Sequence, residues 1–215
     1  MQIGKTQLPS EDAIHRALAE FHIAVNSAQV IQIQQYMDVL LRWNDKINLT
    51  AIRDPIEILY RHFCESMFGT IALSVEDCRL ADVGSGGGFP GIPMKIIRPE
   101  MDLYLIESNM KKATFLTEVV RELNLTGVRV LVSRYEELSE EVAPLDIICS
   151  RAVGEFGPFL EWASSPIIGA QKVALWIGAQ DAESVRRLRT WSWDEPKPIP
   201  HSLRRFILVG IRNPQ

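Results

Sequence analysis

Leu80-Ala81-Asp82-Val83-Gly84-Ser85-Gly86-Gly87-Gly88-Phe89-Pro90-Gly91 is the stretch that decides how this chain folds. A short apolar run leads into five glycines within eight positions, with a proline among them. Glycine allows a tight turn and lets backbone approach a ligand closely. Proline suits the first turn of a helix. The stretch therefore predicts a strand, a ligand-holding loop and a helix starting near Pro90, whose free N–H groups face the loop. A purely structural turn explains so many glycines at one junction poorly.

Outward from this loop, short apolar runs alternate with helical patterns. Strands are expected at Leu80–Val83, Leu103–Glu107, Val128–Val132, Ile147–Ser150 and Val173–Trp176, and the tail Leu203–Ile211 adds at least one more. The clearest helix is Lys111–Leu123, ended by Asn124 and Gly127. Such alternation predicts a doubly wound, mainly parallel sheet. Upstream the texture is helical. Ser10 caps one expected helix and Ser27 a second, while Asp54-Pro55-Ile56-Glu57 starts a third, with Glu57 reaching back. The Pro196–Pro200 stretch reads as a connector. Two parts follow: residues 1–76 as an N-terminal helical segment and 77–215 as a Rossmann-like domain.

In such a sheet a ligand sits at the carboxyl ends of the strands. Gly86, Gly88 and Gly91 satisfy the dinucleotide pattern G-x-G-x-x-G, and Glu107 follows about 20 residues on. Two features favour S-adenosylmethionine instead. Gly84, Gly86 and Gly88 follow Asp82-Val83 in the G-x-G-x-G run familiar in class I methyltransferases, and Phe89-Pro90 would crowd a pyrophosphate. Asp82, Gly84, Gly86 and Phe89 are thus candidate cofactor contacts. Glu107, ending the second strand, could accept both ribose hydroxyls, or be solvated at a loop start. Tyr135 could flank an adenine beside Glu136, although Glu136 and Glu137 could equally be solvated charges at a helix start. Arg151 could bind the cofactor carboxylate or a substrate phosphate, or make a surface ion pair.

The 215 residues are 47% hydrophobic and 23% charged, ordinary for a globular chain. Cys64, Cys78 and Cys149 lie far apart, which fits a reducing compartment and no metal site. Met1–Lys5 lacks a basic leader, and no apolar run approaches the ~18 residues a membrane span needs. A cytoplasmic protein off the membrane, and a monomer, is expected. The net charge of −4 means that any nucleic-acid contact must come from a local patch.

The run Trp43-Asn44 … Asn48-Leu49-Thr50-Ala51-Ile52-Arg53-Asp54-Pro55, then Arg61-His62, the glycine loop through Ile92-Pro93, and Ser150-Arg151-Ala152 together resemble the RsmG (GidB) family, from about Gln32 to Ile211. The resemblance implies a class I S-adenosylmethionine-dependent methyltransferase with a seven-stranded sheet, acting on N7 of one guanine in the decoding region of 16S ribosomal RNA, alone or within the small ribosomal subunit. It implies cofactor contacts at Gly84, Phe89, Tyr135, Glu136 and Arg151, with Glu107 on the ribose. It also implies that Asn48, Arg53, Arg61 and His62 line the RNA side. Each of these four has an ordinary alternative: a helix cap for Asn48, ion pairs for Arg53 and Arg61, a core position for His62.

Two departures stand out. The family usually has aspartate shortly after the arginine–histidine pair, where this chain has Glu65. It also reads leucine–lysine–glycine where this chain has Leu175-Trp176-Ile177-Gly178, so a cation is missing unless a neighbour such as Lys172 supplies it. Guanine N7 carries a free lone pair and needs no general base, so positioning and electrostatics would carry catalysis, with Asn48, Arg61, His62 and Arg151 nearest the chemistry. Arg42, Lys46, Arg53 and Arg61 on one side, and Lys111, Lys112 and Arg134 on the other, could contact phosphates. Three rivals remain open: a same-fold methyltransferase with another substrate, a non-catalytic ribosome-binding relative, and a nicotinamide-dependent oxidoreductase.

Overall fold

The computed structural model describes residues 7–138, 142, 144–151 and 153–213. Met1–Lys5 and Ala152, both used in the sequence reading, lie outside the described residues. Helices α1 (Glu11–Ala19) and α2 (Ser27–Asn44) come first. Ser10 caps α1 as expected, its side chain accepting from the Ala13 amide. Asn26 rather than Ser27 caps α2, because Gln29 three residues on completes a reciprocal capping box with it. Asp54 caps the next helix by accepting from the Glu57 amide. That helix begins as α3 (Pro55–Ile58), widens to a π-helix over Leu59–Cys64 and returns as α4 (Glu65–Ala72). Single π-turns inside helices often mark functional sites, and this one carries Arg61 and His62.

The remaining chain alternates β1 (Arg79–Val83), α5 (Gly91–Ile97), β2 (Asp102–Ile106), α6 (Met110–Glu122), β3 (Val128–Leu131), β4 (Ile147–Ser150), α7 (Phe156–Ser164), β5 (Lys172–Gly178) and α8 (Ala179–Val185). Strands β6 (Trp191–Trp193), β7 (Lys197–Pro198) and β8 (Arg205–Arg212) close it. The sheet order is β3-β2-β1-β4-β5-β8-β6, with β8 antiparallel to β5. The sheet has eight strands where the resemblance implied seven: β6 was not among the strands located in the sequence, and β7 pairs with β8. Strand β7 lies in the proline-rich stretch read as a connector.

Alternation along the strands splits the core into two layers. Leu80, Leu103, Leu105, Cys149 and Trp176 face the helices of the N-terminal segment with α5 and α6. Ala81, Val83, Ile106, Ile148, Leu175 and Ile177 face the opposite side, where Phe159, Leu160 and Ala182 pack from α7 and α8. The N-terminal helices therefore share one continuous core with the sheet. Each fully buried large apolar side chain there contributes about 1.5–3 kcal/mol. No helix among the described residues is long and apolar enough to cross a membrane.

Candidate active site

Strand order reverses between β1 and β4, the switch point at which open α/β sheets bind ligands. The two strand ends are tied together there, the Ser150 hydroxyl donating to the Val83 carbonyl at 2.8 Å. Immediately after Val83 the chain turns through the glycine loop. Gly84, Gly86 and Gly88 have φ of 72°, 55° and 83°, a left-handed conformation that side-chain-bearing residues resist. The Gly84 and Ser85 amides both donate to the Ile106 carbonyl, at 2.9 and 3.1 Å. Glu107, 6% exposed, closes the arrangement. One carboxylate oxygen accepts from the Gly86 amide at 2.9 Å and the other from the Asn109 amide at 2.8 Å.

Beside this loop opens a cavity of about 420 Å³ lined by Gly84, Ser108, Arg134, Tyr135, Glu136 and Val153, among others. Tyr135 is held edge-on by Phe159 and Trp162, at 5.6 and 5.0 Å between ring centres. Arg134 lies on this rim too, on the side assigned to the cofactor. Phe89 keeps its ring out of this cavity and stacks on Tyr36 at 5.4 Å and on His62 at 4.7 Å. Asp82 lies beneath the loop. It is fully buried and accepts from the Gly91 amide at 3.0 Å. Burial raises its carboxyl to about 7, against the pull of the Gly91 hydrogen bond and of Arg151. It holds the start of α5, and its side chain does not line the cavity.

A second cavity, about 230 Å³, adjoins the first across Val153 and is lined by Ser150, Arg151, Trp176, Ile177, Asp181 and Arg205, among others. Here three arginines converge on Glu65, which is 2% exposed. Arg205 donates to it from Nε at 3.1 Å and Nη2 at 2.5 Å, while Arg61 and Arg151 lie at 3.4 and 3.7 Å. Arg151 is fixed further by donating to Ser66 Oγ and the Arg61 carbonyl, both at 3.1 Å. His62 stands next to these cations, its Nε2 paired with Thr50 Oγ1 at 2.7 Å. Burial above all, then Arg151 and Arg61, lowers its imidazole to about 3. It is neutral at any ordinary pH.

The structure thus places Gly84, Arg134, Tyr135 and Glu136 in the lining of one cavity, with Glu107 between its lining residues Ile106 and Ser108 and holding Gly86, and it brings Arg61 and His62 up to Arg151, which lines the other. Asn48 is exposed and lines neither cavity. The buried residue of that connector is Asn44, whose side chain accepts from the Leu49 and Thr50 amides and donates to the Thr50 carbonyl. Arg53 is paired with Asp45 at 3.2 Å. Arg42 pairs with Asp38, and Lys46 lies over the Trp43 ring. Lys172 cannot replace the cation missing at Ile177, because it begins β5 and Ile177 lies near the strand's other end. Arg205 stands opposite Gly178 on the neighbouring antiparallel strand and delivers a guanidinium there instead. Arg205 and Ser108 escaped the sequence reading. Only the pairing of the tail with β5 reveals Arg205, and nothing local marks Ser108. Among the described residues, no group of three or more His, Cys, Asp or Glu is placed to hold a metal ion.

Sheet order, glycine loop and a carboxylate just past the end of β2 define a class: the α/β fold of S-adenosylmethionine-dependent methyltransferases. A SAM-dependent methyltransferase from Aquifex aeolicus shares the fold with a TM-score of 0.60 at 14% identity, over 77% of this chain and 97% of that one. A ribosomal protein L11 methylase from Lactobacillus delbrueckii subsp. bulgaricus does so at 0.56 and 12%, over 72% and 80%. At such identities the likeness concerns fold alone. Sequence goes further. The chain belongs to the GidB family, described as rRNA small subunit methyltransferase G, whose pattern matches residues 29–194. A Pseudomonas aeruginosa (strain LESB58) relative with the name ribosomal RNA small subunit methyltransferase G is 39% identical over 192 residues, 89% of this chain and 87% of its own length. A Desulfitobacterium hafniense relative of the same name is 39% identical over 145 residues, and the match spans 60% of that protein.

Proposed function

We propose that this protein transfers a methyl group from S-adenosylmethionine to N7 of one guanine in 16S ribosomal RNA, as a cytoplasmic monomer without a metal ion, on the RNA or the small subunit. The observation that carries the reading is the adjacency of the two cavities across Val153. One suits an adenosyl group and the other, rich in arginine, suits a phosphate or carboxylate.

The first cavity fits the cofactor chemically. A Cβ on Gly84 would meet nothing within 4 Å, so the space in front of the loop is open to a ligand. Each Glu107 oxygen has one backbone donor and keeps a further lone pair for a ribose hydroxyl. Tyr135 supplies a braced ring for the base. When bound, the cofactor supplies an electrophilic methyl group that a lone pair on a base nitrogen accepts without prior deprotonation.

The chain's own residues are consistent with catalysis by positioning. His62 is neutral and tied to Thr50, so it offers shape and a stacking surface rather than a proton. Arg61, Arg151 and Arg205 outnumber the two carboxylates they pair with, Glu65 and, for Arg61, Glu57, which leaves positive charge for the RNA backbone, with Arg151 toward the cofactor carboxylate. Calorimetric titration with S-adenosylhomocysteine tests the cofactor half directly: one-to-one binding is expected, and no heat at high protein concentration contradicts it.

A further inference from the structure

The glycine loop is gripped from two sides. From the sheet, Glu107 holds the Gly86 amide. From the opposite side, α2 presents Tyr36, fully buried, whose hydroxyl donates to the Gly87 carbonyl. The amide of the same peptide unit, on Gly88, donates to the Ser85 carbonyl at 2.6 Å. The Gly87–Gly88 peptide plane is therefore clamped at both ends. Tyr36 is itself locked, stacked on Phe89 with 13° between the rings and edge-on to Phe63 at 5.1 Å. The contact is so close that a Cβ on Gly88 would lie 2.3 Å from the tyrosine oxygen.

We infer that Tyr36 is a positioning residue for the cofactor site: the N-terminal helical segment, through this hydroxyl, sets the glycine loop in its ligand-ready shape. A run of glycines has more backbone freedom than any other sequence, so an unclamped loop samples many shapes. A ligand that binds one of them loses affinity in proportion to the fraction populated. Gly86, Gly87 and Gly88 supply the turn, and Tyr36 with Glu107 selects one conformation of it. The helical segment is thereby part of the cofactor site as well as a cover for the sheet. The ligand's identity in this inference rests on the methyltransferase reading; the clamp on the loop does not.

The test compares the full-length protein with Tyr36→Phe, which keeps the ring and removes only the hydroxyl, and with Leu18→Ala, a cavity in the same core on α1. Two quantities are read: amide hydrogen exchange of the loop peptide in the ligand-free protein, and calorimetric affinity for S-adenosylhomocysteine. Tyr36→Phe is expected to speed loop exchange and weaken binding by roughly fivefold to tenfold, as a competent fraction reduced to about a fifth or a tenth requires. Leu18→Ala is expected to lower the thermal midpoint with loop exchange and affinity unchanged. Loop exchange and affinity in Tyr36→Phe equal to the wild type overturn the inference, whatever the thermal midpoint does. If the wild type itself binds no S-adenosylhomocysteine, the methyltransferase reading fails, while the exchange comparison still decides whether Tyr36 holds the loop.

Discussion

Arg205 on β8 clasps Glu65 on α4 with two nitrogens, Nε 3.1 Å from each carboxylate oxygen and Nη2 2.5 Å from one of them. The contact joins residues 140 positions apart and ties the last long strand to the helical segment. Arg61 and Arg151 share the same carboxylate, and the Trp176 indole donates to the Glu65 carbonyl at 3.0 Å. A single buried anion thus organises the arginine side of the site.

Glu65→Gln should be costly to the fold. It leaves three guanidinium groups around a neutral amide, and breaking a buried ion pair typically costs about 3–5 kcal/mol. Urea unfolding measures this; a loss below about 1 kcal/mol contradicts the central place given to Glu65.

Arg205→Ala and Arg61→Ala should spare the cofactor and harm the RNA step. The expected result is S-adenosylhomocysteine affinity within about twofold of wild type and kcat/KM on small subunits reduced at least about tenfold, the effect of losing one charge-assisted contact. Arg205→Lys should recover part of the loss, since it restores charge without the two-pronged geometry. Equal kcat/KM for Arg205→Ala and wild type removes Arg205 from the site.

Glu107→Ala should act on the other half. Two hydrogen bonds from ribose hydroxyls to a carboxylate, at about 1.5–3 kcal/mol each, predict a loss of cofactor affinity of roughly 100-fold to 10,000-fold. The glycine loop also loses its Gly86 contact. Unchanged affinity by calorimetry contradicts the ribose assignment.

How much of this was legible in the sequence follows from which interactions are local. The glycine loop was readable because a left-handed turn leaves few choices but glycine, and Gly84, Gly86 and Gly88 all adopt that conformation. The central strands were readable because strands buried on both faces are near-continuous apolar runs. Strand β7 was hidden because it is two residues long and includes Pro198, which has no amide to donate. The choice between Asn26 and Ser27 as cap turned on Gln29, three residues beyond the true one. Tyr36 has the helical spacing of an ordinary core aromatic, and only tertiary packing sets its hydroxyl against Gly87. The π-turn that carries Arg61 and His62 has no residue signature of its own.

His62 should not titrate in the working range. Its imidazole lies near 3 in the fold, below the ordinary 6.5, so the unfolded chain binds the extra proton first. Its neutral form therefore contributes stability in full above about pH 6.5, and that contribution is lost as pH falls toward 3. His62 ring signals followed by NMR should stay constant between pH 5 and 8. A midpoint within that window contradicts the buried, neutral assignment.

The central claim is tested most directly by incubating the protein with radiolabelled S-adenosylmethionine and small ribosomal subunits that lack the modification, then identifying the labelled nucleoside by mass spectrometry. Label confined to N7-methylguanosine in 16S ribosomal RNA is the predicted result. Label in another nucleoside or in ribosomal protein, or no label although S-adenosylhomocysteine binds, contradicts it.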